Sequence, residues 1–87
     1  MTSEDKVKVT VRLFAAPREF LGRSEIEVVL PSGTKLSELI GKLSADYPGL
    51  AKYLPYSKLA VNHAISQRDA ILSEGDVVAL LPPVGGG

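Results

Sequence analysis

Two stretches near the start of the chain alternate between apolar and polar side chains, the first of them strictly. In KVKVTVRLF, residues 6–14, every second residue up to position 13 is apolar, and SEIEVVL, residues 24–30, repeats this pattern. A period of two predicts a β-strand with one buried face. We therefore predict two antiparallel strands joined by a short helix in APREFLG, where Pro17 suits the first turn and Gly22 the end. Phe14 is the exception, because it falls on the polar face of the first strand.

The segment after PSG, residues 31–33, has the period of a helix. Its apolar residues recur at i, i+3, i+4, i+7 and i+11 and form one stripe, which consists of Leu36, Leu39, Ile40, Leu43 and Tyr47. We predict an amphipathic helix with Thr34 as its N-cap, Glu38 near its N-terminus and an end at Pro48-Gly49. Gly41 lies inside it, at a cost of about 1 kcal/mol relative to alanine. A close packing contact is one explanation for that glycine.

The last third of the chain contains three short strand-like segments. KLAVNHAIS, residues 58–66, predicts two strands around a tight turn at Asn62-His63, and a turn in SEGD precedes VVALL, residues 77–81. VVALL is apolar on both faces, which is typical of a central strand or of a strand whose outer face is covered. One helix packed on one face of a mixed sheet is the economical arrangement. By analogy with ubiquitin, we predict an α+β domain over residues 1–81, a β-grasp with its end strands side by side.

Composition excludes several classes of function. The chain has 87 residues, with ten Lys plus Arg against ten Asp plus Glu, so it lacks the basic surplus of a nucleic-acid-binding protein. It has no cysteine, and His63 is its only histidine, which argues against a disulfide scaffold, a metal site and a side-chain-driven enzyme. No apolar run approaches the roughly 20 residues of a membrane span, and no signal peptide is recognisable. We therefore expect a cytoplasmic protein without metal or bound cofactor.

The chain ends in LLPPVGGG, residues 80–87. Proline fixes φ and favours an extended conformation in the residue before it, so we predict that residues 82–87 form a flexible, extended tail. Such a tail reaches at most about 20 Å from the domain. Glycines have no Cβ and can pass through a slot that any side chain would block. The alternative is an ordinary frayed terminus without a function.

Three motifs, together with the strand–strand–helix order, resemble the small subunits of molybdopterin synthase, a family of ubiquitin-like sulfur carriers. They are VRLFAAPREFLG (11–22), AVNHAI (60–65) and EGDVVALLPPVGGG (74–87), and the resemblance extends over nearly the whole chain. The final glycine pair is common to ubiquitin-like sulfur carriers, whereas EGDVVALLPPV before it is much more specific. Gly85 departs from the family, which commonly has serine or threonine there, and we expect it to loosen the tail.

The resemblance implies a reaction at the main-chain terminus. An adenylating enzyme would use ATP to convert the Gly87 carboxylate to an acyl-adenylate, and sulfur from a persulfide donor would displace AMP to leave a thiocarboxylate. The tail would then insert into a large catalytic subunit, within a heterotetramer, and donate sulfur for the dithiolene of molybdopterin. The residues that the resemblance assigns to tail insertion are Pro82, Pro83, Val84, Gly85 and Gly86. The chain itself would be non-catalytic, and it needs no thiol because its terminus carries the sulfur.

The resemblance also implies an apolar partner surface beside the tail. The matching positions are Phe14, Ile65 and Leu81, and one such patch can be recognised in turn by the activating enzyme and the large subunit. This surface would explain why VVALL is apolar on both faces. For Phe14, a local change of face at the strand end is an equally good explanation. His63 is expected to be a turn residue rather than a ligand.

Other functions remain open at this point. One is a sulfur carrier for thiamine synthesis or for transfer RNA thiolation, the latter combined with protein modification, although the tails of those carriers usually lack the double proline. Another is a ubiquitin-like interaction domain whose tail is never activated. A free-standing enzyme is a third, against which the missing nucleophile and base argue.

Overall fold

The computed structural model describes residues 5–54 and 57–81. Within them the elements follow one another in the order predicted from the sequence. They are β1 (Lys6–Leu13), α1 (Ala15–Leu21), β2 (Glu25–Pro31), α2 (Leu36–Asp46), a 3-10 turn (Pro48–Leu50), β3 (Lys58–Val61), β4 (Ala64–Ile65) and β5 (Val77–Leu81). None of the helices in these residues is long and apolar enough to cross a membrane.

The strands form one mixed sheet in the order β2-β1-β5-β3-β4. β1 and β5 run parallel, with Thr10 opposite Val77 and Leu13 opposite Leu80. The other neighbours are antiparallel. The first and last strands therefore lie side by side at the centre of the sheet, as the β-grasp prediction requires.

α2 packs on one face of the sheet and closes the hydrophobic core. The alternation of β1 and β2 and the apolar stripe of α2 point into the same space, so the predicted strand and helix faces are confirmed. The buried residues of this core are Val9, Val11, Leu13, Ile26, Val28, Leu30, Leu36, Leu39, Ile40, Leu43, Leu50, Leu54, Leu59, Leu72, Val78 and Leu80. Burying a side chain of this size contributes about 1.5–3 kcal/mol, so these residues stabilise the packing of α2 on the sheet.

α2 begins one residue later than the sequence predicts. The prediction of Thr34 as N-cap is wrong, because its hydroxyl donates a hydrogen bond to the carbonyl oxygen of Pro31, 2.6 Å away, in the preceding turn. Lys35 is the N-cap, with an extended backbone. The prediction for Glu38 is confirmed, since its Oε1 accepts a hydrogen bond from the Lys35 N–H at 2.8 Å and so caps the helix.

The glycine that makes a close contact is not the one inside α2. Gly41 is exposed, and no atom lies within 4 Å of a Cβ built on it, so a packing contact does not explain it. Gly49, in the 3-10 turn, lies instead against the ring of Phe20 from α1, where a Cβ would overlap the ring atoms. This contact joins the short helix to the turn that follows α2.

Candidate functional site

The face of the sheet opposite α2 carries a shallow apolar depression of about 250 Å³. We call it the outer-face patch. Its apolar residues are Phe14, Ala60, Ile65, Val77, Ala79 and Leu81, and Arg12 and His63 complete its lining. One row of the sheet register crosses it, because Arg12 lies opposite Ala79, Ala79 opposite Ala60, and Ala60 opposite Ile65.

The alternation of β5 explains why the patch forms. Val78 and Leu80 are fully buried in the core, so the period of two turns Val77, Ala79 and Leu81 toward the outer face. The strand lies between β1 and β3, so of the two alternatives that the sequence left open for VVALL the central strand is the one observed. Two small residues, Ala60 and Ala79, face each other in the floor of the depression, so the larger side chains stand around them.

Phe14 belongs to this outer-face patch. β1 ends at Leu13, and Phe14 follows in an extended conformation, with φ −135° and ψ 157°, as the N-cap residue of α1. It therefore continues the alternation of the strand by one residue. Ala15 then takes a positive φ of 55°, which turns the chain away from the strand into the helix.

Charged side chains flank the patch on its β2 side. Arg12 Nε lies 3.5 Å from Glu25 Oε2, and its guanidinium carbon is 5.7 Å from the centroid of the Phe14 ring. Four residues before Arg12 on the same strand, Lys8 Nζ lies 4.0 Å from Glu27 Oε1. Exposed ion pairs of this kind contribute about 0–1 kcal/mol, so their main consequence here is a charged border beside an apolar surface.

The β3–β4 hairpin places His63 and Ile65 at the other border. Asn62 and His63 both have positive φ, 53° and 72°, which confirms the predicted tight turn and the prediction of His63 as a turn residue. Ile65 is 66% exposed. Among residues 5–54 and 57–81, no group of three or more His, Asp or Glu side chains could hold a metal ion.

The structure brings together the three predicted interface residues and extends the set. Phe14, Ile65 and Leu81 all line the outer-face patch. Sequence reasoning missed Ala60 and Ala79, although side chains alternate in direction along a strand, so the neighbours of the core residues Leu59 and Leu80 face the opposite side. The residues assigned to tail insertion and to the reactive end, Pro82, Pro83, Val84, Gly85, Gly86 and Gly87, lie outside the described residues. Leu81 precedes them directly in sequence.

The architecture is that of ubiquitin-like β-grasp proteins, as predicted. The solution structure of Urm1 from Trypanosoma brucei is 20% identical and covers 98% of this chain and 100% of its own, with a TM-score of 0.73. A family model described as the ThiS family matches residues 11–87. The chain belongs to this family.

Individual relatives of known function indicate a narrower class of protein than the family model does. The chain is 37% identical over 84 residues to the molybdopterin synthase sulfur carrier subunit of Mycobacterium tuberculosis, covering 93% of this chain and 99% of that protein. It is 38% identical over 80 residues to the subunit of the same description in Dictyostelium discoideum, covering 88% and 93%. These relatives confirm the resemblance that the sequence motifs predicted.

One similar structure contains two subunits. It is a protein–protein complex of subunits 1 and 2 of the molybdopterin-converting factor from Helicobacter pylori. The matched chain is 29% identical and has a TM-score of 0.69, with 93% of this chain and 100% of that chain covered.

Proposed function

We propose that this chain is the sulfur carrier subunit of a molybdopterin synthase and that the Gly87 carboxylate is its reactive group. The observation that carries the proposal is the similarity over nearly the full length of both chains to sulfur carrier subunits of that synthase. The tail motif PPVGGG supports it, because this segment combines stiff residues with residues that have no side chain.

The chemistry takes place at the chain terminus. The Gly87 carboxylate attacks the α-phosphorus of ATP in an activating enzyme, which forms an acyl-adenylate and releases pyrophosphate. A donor persulfide then attacks the acyl carbon and expels AMP, and a thiol reduces the resulting acyl disulfide to leave the thiocarboxylate. The chain contributes no catalytic side chain to these steps, consistent with its lack of cysteine.

The outer-face patch is the proposed docking surface for both partners. An apolar depression bordered by charges excludes water when it is covered, while the charges favour one orientation of the partner. The large subunit is the proposed acceptor of the charged tail, in a heterotetramer, by analogy with the two-subunit complex from Helicobacter pylori. The activating enzyme would use the same surface beforehand, so the two partners would compete. We propose that these steps occur in the cytoplasm.

The test is the intact mass of the protein purified from its own cells, together with the identity of any subunit that copurifies. We expect a population in which one oxygen of the C-terminal carboxylate is replaced by sulfur, in association with a large synthase subunit. A terminus that is never thiolated, even with the activating enzyme, ATP and a sulfur source, would contradict the carrier function. A thiolated terminus that supplies only thiamine synthesis or transfer RNA thiolation would contradict the assignment to molybdopterin synthase.

A further inference from the structure

The side chain of Asn62 connects the β3–β4 turn to the beginning of β5. Its Oδ1 accepts a hydrogen bond from the Val77 N–H at 3.0 Å, and its Nδ2 donates to Asp76 Oδ1 at 2.9 Å. The Asn62 N–H donates to the Val77 carbonyl oxygen at 2.8 Å. Asp76 is itself held, because its Oδ2 accepts from the Ser73 N–H at 2.8 Å. Two turns that are distant in sequence are therefore joined through one amide and one carboxylate.

The chemistry of the two partners fixes the orientation of the Asn62 amide. Val77 offers an N–H, which needs an oxygen, and the Asp76 carboxylate offers only acceptors, which need the NH₂ group. Rotating the amide by half a turn would place donor against donor and acceptor against acceptor. We call these two hydrogen bonds of the Asn62 amide the clamp. Each of them depends on one end of the amide, so substitutions can remove one bond and keep the other.

This clamp bears directly on the outer-face patch. β4 is only two residues long and lies at the edge of the sheet, where it is paired with β3 alone. Its ladder consists of Ala64 opposite Val61 and Ile65 opposite Ala60. Such a short edge strand has little to hold it in place, yet it carries an isoleucine of the patch. Val77 both lines the patch and bonds to Asn62.

We propose that Asn62 is a positioning residue for partner binding. By clamping the hairpin onto Asp76 and Val77, it presents Ile65 and His63 in one arrangement before the partner arrives, which lowers the ordering cost of association. Asn62 contributes through Ile65 rather than by its own contact with the partner. The inference rests on the proposed function only where affinity for the large subunit is measured. The ordering of the hairpin can be measured in the free chain.

The decisive variants exchange the two partners of the clamp. Asn62→Asp keeps an acceptor for Val77 but places two carboxylates against each other, and it remains compatible with a positive φ. We expect its affinity for the purified large subunit to fall about fivefold, the equivalent of one net hydrogen bond. Combining it with Asp76→Asn restores one carboxylate and one amide, and we expect affinity within about twofold of the original chain.

A second readout needs no partner. In the free chain, we expect Asn62→Gly, which keeps the positive φ but removes the clamp, to accelerate hydrogen exchange at the Val77 and Ser66 amides. The Ser66 N–H bonds to the Leu59 carbonyl oxygen at 2.9 Å and so reports on the hairpin. In the Asn62→Asp background, truncating Ile65 to alanine should then cost less affinity than it costs in the original chain.

The outcomes separate this inference from the proposed function. If the original chain does not bind the large subunit, the proposed function fails, and the exchange rates of the free chain still decide whether Asn62 orders the hairpin. If Asn62→Asp lowers only the free energy of unfolding and binds as tightly as the original chain, the positioning role is wrong. Failure of the exchanged pair to recover affinity would also overturn it.

Discussion

The ring of Phe20 covers the α-carbon of Gly49, so that a methyl group added there would overlap the end of the ring. Phe20 is 54% exposed, and its ring can move outward. We therefore expect Gly49→Ala to destabilise the fold by about 1 kcal/mol, through the loss of this packing rather than through collapse of the core. The free energy of unfolding in urea measures the effect.

The matched control for this contact is Gly49→Ala in a chain that lacks the Phe20 ring. In a Phe20→Ala background, Gly49→Ala should reverse sign and stabilise the fold by about 0.4–1 kcal/mol, because alanine restricts the unfolded chain and no longer meets an obstacle. The backbone permits it, since Gly49 is not among the residues with positive φ. An unchanged destabilisation in that background would show that Phe20 is not the cause.

Gly41 gives the opposite prediction. It lies in α2, is exposed and has open space where a Cβ would stand, so Gly41→Ala should stabilise the chain by about 0.5–1 kcal/mol. Gly22 is the matched control, because it ends α1 with a φ of 73°. Alanine there should destabilise the fold. Thermal or urea unfolding of the two variants tests the pair, and a gain at Gly22 would contradict the explanation.

Ile65 and Ile71 allow a sharp test of the outer-face patch. Both are isoleucines of similar exposure, 66% and 62%, but only Ile65 lines the patch. We expect Ile65→Ala to weaken binding of the large subunit by about tenfold or more, as for a residue that contributes over 1 kcal/mol to an interface. Ile71→Ala should leave binding unchanged, and neither should lower stability greatly. Equal effects of the two substitutions on affinity would argue against the patch as the interface.

Truncating a core residue of the same sheet shows how large a loss of stability to expect when the core itself is damaged. Leu59 lies beside Ala60 on β3 but points into the core. Leu59→Ala should lower the free energy of unfolding by about 2–5 kcal/mol. A change in affinity without a comparable loss of stability is therefore specific to the outer face.

Gly87 is predicted to be indispensable for sulfur transfer. Its deletion would withdraw the carboxylate by about 3.3–3.6 Å, and a misplacement of about 1 Å can cost 100-fold in a positioned reaction. Gly86→Val should fail because a branched side chain blocks a slot shaped for bare backbone. Both variants should unfold at the same urea concentration as the original chain. The measurement is thiocarboxylate formation by mass, and normal transfer by the deletion variant would contradict the mechanism.

The sequence was sufficient to predict the main elements of this fold, because three of them have a clear period and the others are bounded by residues typical of helix ends and turns. β1 and β2 alternate, α2 has one stripe, and the turn at Asn62-His63 uses residues that tolerate positive φ. The parallel pairing of β1 with β5 has no local signal, since it joins the two ends of the chain. It was accessible only by analogy with a known architecture. The one-residue error at Thr34 arose because its hydroxyl bonds backward into the turn.

The candidate site was predictable only in part. Family resemblance indicated Phe14, Ile65 and Leu81, and the structure adds the small residues of the floor. The clamp between Asn62 and Asp76 was not predictable, because it depends on how two turns meet in space. Likewise, the sequence contains both Gly41 and Gly49, and only the position of the Phe20 ring distinguishes them.

The central position of β5 affects how the protein is made. Synthesis proceeds from the N-terminus, and β5 emerges from the ribosome after every other described strand. Until it does, β1 and β3 have no strand between them and the sheet cannot close. Pairing between segments so distant in sequence slows folding, because a long loop must close before the contacts form. A nascent chain therefore completes the outer-face patch only after Val77–Leu81 has been synthesised and has left the ribosome, and we expect a product truncated before Val77 to be degraded rather than to compete for the proposed partners.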